Sequence, residues 1–175
     1  MNDELKQIAS KIKLLAFDVD GVMTTGDVTY DENGVEYKTF NVKDGHGLVR
    51  VQNAGLITAI ITARNNGTVK HRAENLHITE LYQGQKYKLP ALEEIMQKYN
   101  LSYEEISYMG DDLPDICILE KVGLKCCPND AVDEVKNICN FISTKNGGKG
   151  AVRELTDFIL ESQGIEKEYI VSESK

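Results

Sequence analysis

The chain has 175 residues, 41% hydrophobic and 27% charged, which excludes a disordered or fibrous protein and suits one compact unit spanning residues 1–175. Lys plus Arg is 20 against 28 Asp plus Glu, a formal net charge of −8, so neither nucleic acid nor anionic lipid is an expected partner. No apolar run approaches the ~20 residues of a membrane span, and residues 1–10 are too polar for a signal peptide; a cytoplasmic protein is expected.

Residues 1–10 are polar enough to fray or to dock elsewhere. Leu14–Phe17 is a short apolar run of the kind that a parallel strand buried on both faces requires. Residues 27–40, DVTYDENGVEYKTF, read as a β-hairpin flap centred on Asn33-Gly34. With a two-residue loop, Tyr30 faces Tyr37 and Val28 faces Thr39. A lone two-stranded ribbon is marginal in water, so this one needs something to lean on. The following residues, 41–48, read as a turn leading into a helix.

Residues 56–61 form a second buried strand, and residues 76–83 hold a third. Leu89, Leu92, Ile95, Met96 and Tyr99 recur at helical spacing, with Pro90 suited to the first turn. Ile106–Met109 and Leu124–Cys127 are two further apolar strands. Val152, Leu155, Phe158 and Ile159 mark a last helix that Gly164 can stop. Residues 165–175 form a polar tail. Strands alternating with helices predict an α/β fold with a doubly wound, mainly parallel, Rossmann-like sheet.

The four cysteines, Cys117, Cys126, Cys127 and Cys139, show no C-x-x-C spacing and have no histidine near them in sequence. They read as inert, three of them in apolar or strand-like surroundings. His46, His71 and His77 carry no partner signal and read as surface or turn residues. Gly147-Gly148-Lys149-Gly150 lacks the spacing and the Ser or Thr of a Walker phosphate loop.

In an open α/β sheet the ligand binds beyond the carboxyl ends of the strands, so the residues after each strand delineate the site. Asp18-Val19-Asp20-Gly21 follows the first strand and Thr62-Ala63-Arg64 the second. Lys88 opens the helix after the third, and Gly110-Asp111-Asp112-Leu113-Pro114-Asp115 follows the fourth. Two carboxylates spaced i, i+2, an acidic cluster, a hydroxyl and an ammonium thus converge on one rim. Mg²⁺ would neutralise the acids, because it prefers carboxylate oxygens. The set suits phosphoryl transfer through an aspartyl phosphate, with a second carboxyl group to protonate the leaving oxygen and later activate water.

These fragments, in this order, resemble the four motifs of the haloacid dehalogenase superfamily of phosphohydrolases, over roughly residues 13–160. The resemblance implies Asp18 as nucleophile, Asp20 as general acid/base, and Thr62 and Lys88 as holders of the phosphoryl oxygens. It implies Mg²⁺ on Asp18, the Asp20 backbone carbonyl and Asp111, with Asp112 or Asp115 in support through water or Lys88. About 44 residues separate Asp18 from Thr62, enough for the flap and one helix but not for a cap domain.

The segments DVDGVMTTGDVTY, NGVEYKTFNVKDGHGL, ITAR, LYQGQKYKL, GDDLPD and GGKGAVRE bring the chain closer to the capless, tetrameric branch of that superfamily. That likeness implies a homotetramer in which the hairpin of one subunit packs on its neighbour, burying a Tyr30/Tyr37 face and helping to cover the neighbour's site. It also places the 147–150 segment and the tail near an adjacent subunit's site, although a flexible turn before the last helix reads equally well. The implied substrate is an eight-carbon acid-sugar phosphate, 3-deoxy-D-manno-octulosonate 8-phosphate, used in lipopolysaccharide precursor synthesis. Arg64 and Arg72 would read its carboxylate as bidentate partners. Lys43 is a weaker candidate for anion contact, and Gly45 belongs to the same substrate-binding segment. The alternatives are a nine-carbon sialic-acid-type 9-phosphate, whose phosphatases typically carry Glu in place of Arg64, and a receiver-type phosphoacceptor domain.

Overall fold

A computed structural model describes residues 3–165. Six strands form one sheet: β1 (Leu14–Phe17), β4 (Ile57–Ile61), β5 (Glu80–Tyr82), β6 (Ile106–Met109), β7 (Leu124–Cys127) and β8 (Phe141–Ile142). Their order is β5-β4-β1-β6-β7-β8, and every pairing is parallel. The central strand β1 is entirely buried, as a strand covered on both faces must be. Alternate side chains serve opposite layers: Leu15 and Phe17 join one core, Leu14 and Ala16 the other.

The first core takes α1 (Asp3–Ala9), α2 (Val42–Asn53), α3 (Gly67–Asn75) and α7 (Ala151–Ser162). The second takes α4 (Leu89–Tyr99), α5 (Ile116–Leu119) and α6 (Asp133–Lys136). The sequence expectation is therefore met in fold class and in the positions of the main strands. The edge strand β8, two residues long, had no periodicity to reveal it. The 1–10 segment does not fray over its described part: α1 docks, Ala9 is fully buried, and Gln163 Nε2 donates to Ile12 O at 2.8 Å. Of the polar tail, residues 166–175 lie outside the described residues. Among the described residues, no helix is long and apolar enough to cross a membrane.

Between Asp18 and Thr62 the chain builds only α2 and a two-stranded ribbon, β2 (Thr29–Tyr30) with β3 (Glu36–Tyr37), and no cap domain. The ribbon corrects the expected register. Thr29 pairs with Tyr37 and Tyr30 with Glu36, because the loop is three residues long rather than two. Asp31 Oδ1 accepts from Asn33 N and Val35 N, each at 2.9 Å, and Gly34 adopts φ +79°. This is the three-residue hairpin with glycine at the left-handed position. A one-residue slip moves side chains to the other face, so Tyr30 and Tyr37 do not share one. Tyr30 lies with Glu36, and Tyr37 with Thr29.

Candidate active site

The residues flagged after each strand gather at the carboxyl edge of the sheet. Asp18 continues β1, and its amide donates to Met109 O at 3.0 Å. Thr62 continues β4 and is only 2% exposed. Lys88 sits at the start of α4, where Pro90 occupies the first turn, and its side chain is buried. The Lys88 ammonium bridges two carboxylates, with Nζ 2.7 Å from Asp18 Oδ2 and 2.6 Å from Asp115 Oδ1. Burial disfavours that ammonium, but Asp18 and Asp115 outweigh it and raise its pKa.

Asp115 is saturated. Its Oδ1 accepts from Lys88 Nζ and from the buried Tyr108 hydroxyl at 2.7 Å, and its Oδ2 accepts from the amides of Asp111 and Asp112 at 2.9 and 3.2 Å. It thereby folds the Gly110–Asp112 loop back and aims Asp111 at Asp18. Carboxylate oxygens of Asp18, Asp111 and Asp115 lie within 4.8 Å of one another. Burial, then the Asp115 and Asp18 charges, push Asp111 up to about 8. Burial, then Asp115, push Asp18 up to about 6 against the pull of Lys88. This crowding of anions fits a divalent cation with a preference for hard oxygen ligands. With Asp115 fully engaged, Asp18 and Asp111 are the side chains left to hold one, and Asp112 instead accepts from Leu113 N at 2.8 Å.

Gly21 makes the approach of Asp111 feasible. It adopts φ +80°, and a Cβ there would lie 2.0 Å from Asp111 Oδ2. The 147–150 segment packs on the same loop from within this chain: Gly148 N donates to Val22 O at 2.9 Å, and a Cβ on Gly147 would sit 1.8 Å from Gly21 O. It supports its own subunit's Asp18–Thr24 loop, which the sequence does not disclose.

Arg64 lies at the rim with a half-open guanidinium, 2.5 Å from Glu36 Oε2 and 3.4 Å from the Tyr30 hydroxyl. It does not share a site with Arg72 through any contact. Arg72 NH2 donates to Asn41 O at 3.3 Å, NH1 to Asn75 Oδ1 at 3.0 Å, and the guanidinium lies over the Phe40 ring. The two-turn spacing places Arg72 against the start of α2, where Gly45 is buried and a Cβ on it would meet Arg72 NH2 at 2.3 Å. Lys43, in the first turn of α2, is exposed. Asp44 is buried and caps α7 from outside, accepting from Arg153 N at 2.8 Å and Gly150 N at 3.3 Å. All four cysteines are free and all three histidines are exposed.

Sequence reading missed two groups. Tyr108 looked like strand filler. Glu36 and Lys38, spaced i, i+2 on one face of the ribbon, reach into the site: Lys38 Nζ pairs with Asp20 Oδ1 and lies 2.9 Å from Glu36 Oε1. The alternation E-Y-K was the available signal.

The Asp18–Asp20 loop after β1, a lysine bridging two carboxylates, the acidic Gly110–Asp115 loop and a capless insertion together fit a phosphohydrolase of the haloacid dehalogenase class. The family pattern described as haloacid dehalogenase-like hydrolase matches residues 74–155. The chain is 41% identical over 156 residues to the 3-deoxy-D-manno-octulosonate 8-phosphate phosphatase of Escherichia coli K12, covering 89% of this chain and 83% of that one. Among solved structures, it is similar to the Moraxella catarrhalis 3-deoxy-D-manno-octulosonate 8-phosphate phosphatase in complex with magnesium ion, phosphate ion and KDO (TM-score 0.91, 38% identity, 94% of each chain). It is also similar to the cobalt-bound form of the Haemophilus influenzae deoxy-D-mannose-octulosonate 8-phosphate phosphatase (TM-score 0.87, 34% identity, 90% and 92% of the chains). The chain belongs to the haloacid dehalogenase-like hydrolase family, alongside these 3-deoxy-D-manno-octulosonate 8-phosphate phosphatases. That membership removes the receiver-type reading.

Proposed function

We propose that this chain is a Mg²⁺-dependent phosphatase that hydrolyses 3-deoxy-D-manno-octulosonate 8-phosphate to the free acid sugar and phosphate, a step in lipopolysaccharide precursor synthesis in the cytoplasm. Asp18 attacks phosphorus, and the bond to the sugar oxygen breaks as Asp20 gives that oxygen its proton. Asp20, now a carboxylate, takes a proton from water; the water oxygen attacks phosphorus and Asp18 is regenerated. Lys88 and Thr62 hold the phosphoryl oxygens, and Asp115 fixes Lys88. Held by Asp18, the Asp20 carbonyl and Asp111, Mg²⁺ supplies charge neutralisation at those oxygens.

One observation carries the substrate choice. Arg64 stands on the same side as Asp20, linked to it through Glu36 and Lys38, so a guanidinium that can read a carboxylate faces the leaving-group end. Residues 1–175 act as one catalytic unit, assembled as a homotetramer through the apolar side chains that the ribbon and α2 leave exposed, Val28, Val35, Tyr37 and Val42.

The test is phosphate release from 3-deoxy-D-manno-octulosonate 8-phosphate, a nine-carbon 9-phosphate, a neutral hexose 6-phosphate and p-nitrophenyl phosphate. The eight-carbon acid sugar is expected to be preferred, and Arg64→Ala to lose about 10- to 150-fold on it, the equivalent of a ~1.5–3 kcal/mol charge-assisted contact, while p-nitrophenyl phosphate hardly changes. Equal loss on both substrates overturns the substrate choice. Deleting residues 31–35 is expected to weaken assembly and catalysis together; a fully active monomer in sedimentation overturns the tetramer.

A further inference from the structure

The ribbon sends a lysine where none of the family motifs asks for one. Lys38 lies just beyond β3, on a ribbon largely open to solvent, yet its side chain is only 2% exposed. It is the only hydrogen-bond partner of the Asp20 carboxylate among the described residues, and it engages one oxygen, Oδ1. Its other neighbour is Glu36 Oε1 at 2.9 Å, and Glu36 Oε2 in turn holds Arg64 at 2.5 Å. Four side chains of alternating charge, Asp20, Lys38, Glu36 and Arg64, therefore run in line from the catalytic loop to the rim. A buried ammonium is costly to leave unpaired, so the two carboxylates fix Lys38, and Lys38 fixes them.

We propose that Lys38 is a positioning residue for Asp20, and that Glu36 couples it to Arg64, so that the hairpin sets the acid/base carboxylate and the carboxylate-reading guanidinium in one spatial relation. The inference rests on the roles proposed above for Asp20 and Arg64. Held at Oδ1 by Lys38, Asp20 keeps Oδ2 directed at the leaving oxygen. Without Lys38 its side chain is free to rotate, and proton delivery is lost while phosphoryl binding persists. Esters with poor leaving groups need that proton; p-nitrophenolate leaves without it.

The full-length enzyme with Mg²⁺ is assayed in single turnovers on a graded series of phosphate monoesters, from p-nitrophenyl to simple alkyl, where release of the first equivalent of alcohol reports attack by Asp18 before the aspartyl phosphate is hydrolysed. In the first turnover, Lys38→Met is expected to slow release of the alcohol from alkyl esters by roughly 10²-fold, a usual contribution of general acid catalysis, and to leave release of p-nitrophenolate near wild type. Lys38→Arg, which keeps the charge, is expected to restore most of the alkyl activity. Lys38→Gln provides a second neutral variant, and the thermal midpoint of each is recorded. Asp20→Asn should show the same split in the first turnover while slowing steady-state turnover on every ester, because Asp20 also activates water, and the double variant with Lys38→Met should be no worse than Asp20→Asn alone. On an acid-sugar phosphate, Arg64→Ala and Lys38→Met should be non-additive, and additive once Glu36→Gln breaks the link.

A uniform loss of first-turnover release on every ester, or no loss on the alkyl esters, overturns the positioning role, and additivity in the presence of Glu36 overturns the coupling. The two readings fail separately. A wild-type enzyme that does not prefer the eight-carbon acid sugar removes the substrate choice, whereas the ester series decides Lys38 without that sugar.

Discussion

Tyr108 donates its hydroxyl to Asp115 Oδ1 at 2.7 Å, onto the same oxygen that holds Lys88. Full burial, then the Asp115 charge, raise the Tyr108 pKa far above its ordinary value, so the hydroxyl remains a donor throughout the working pH range. Tyr108→Phe removes one neutral donor and is expected to cost about 1 kcal/mol of stability, with a modest fall in kcat. Asp115→Asn leaves Lys88 its Asp18 partner but replaces one acceptor oxygen by an amide nitrogen, so a buried donor loses its partner; a cost of about 1–3 kcal/mol and loss of most of the activity are expected. Urea unfolding combined with phosphate release separates the two.

The acidic cluster makes stability depend on pH when metal is removed. Asp111 sits at about 8 in the folded chain against an ordinary 3.8, so the folded state holds this proton more tightly than the unfolded one. Its stabilising contribution is complete below about pH 4 and is lost as pH rises towards 8. The chelated protein is therefore expected to melt at a lower temperature at pH 8 than at pH 5. Mg²⁺ should reverse the loss at pH 8, and Asp111→Asn should flatten the dependence; an unchanged slope in that variant would assign the effect elsewhere.

Asp18→Asn is expected to abolish turnover with the fold intact, since a carboxamide cannot attack phosphorus and differs little in volume. By removing one of the mutually repelling anions it should also raise the melting temperature of the chelated protein. Circular dichroism melts with and without chelator read this directly.

Gly21→Ala is expected to retain the fold but lose Mg²⁺ affinity, because its Cβ would lie 2.0 Å from Asp111 Oδ2, a side chain that can swing away from the site. Gly147→Ala brings a Cβ to 1.8 Å from a backbone carbonyl, Gly21 O, which cannot swing. It should destabilise by roughly 1–3 kcal/mol or more, as overpacking does, and reduce kcat as the Asp18–Thr24 loop shifts. Metal titration calorimetry and thermal melts distinguish the two variants.

Asp44→Ala removes the two hydrogen bonds that cap α7 from α2. A loss of about 1–2 kcal/mol is expected, as for an N-cap, with faster hydrogen exchange at Gly150 and Arg153. Lys43→Ala, next along the chain but exposed, should leave that exchange unchanged.

The sequence by itself determined the parts governed by local periodicity. The buried strands Leu14–Phe17, Ile57–Ile61, Ile106–Met109 and Leu124–Cys127 read as apolar runs, and the residues beyond the carboxyl ends of β1, β4, β5 and β6, namely Asp18, Thr62, Lys88 and Asp111, fall on one rim because a parallel sheet brings strand ends together. Tertiary structure decided which partners those groups take. That Lys88 bridges Asp18 and Asp115 and that Gly147 underlies Gly21 are relations between elements far apart in the chain, and no spacing encodes them. The hairpin shows the boundary most sharply. Asn33-Gly34 announced a turn, but the Asp31 side chain, by capping Asn33 and Val35, lengthened the loop by one residue. That single residue reversed the expected facing of Tyr30 and Tyr37. It put Glu36 with Tyr30 beside Arg64, because strand side chains alternate with a period of two and a one-residue slip moves each to the opposite face.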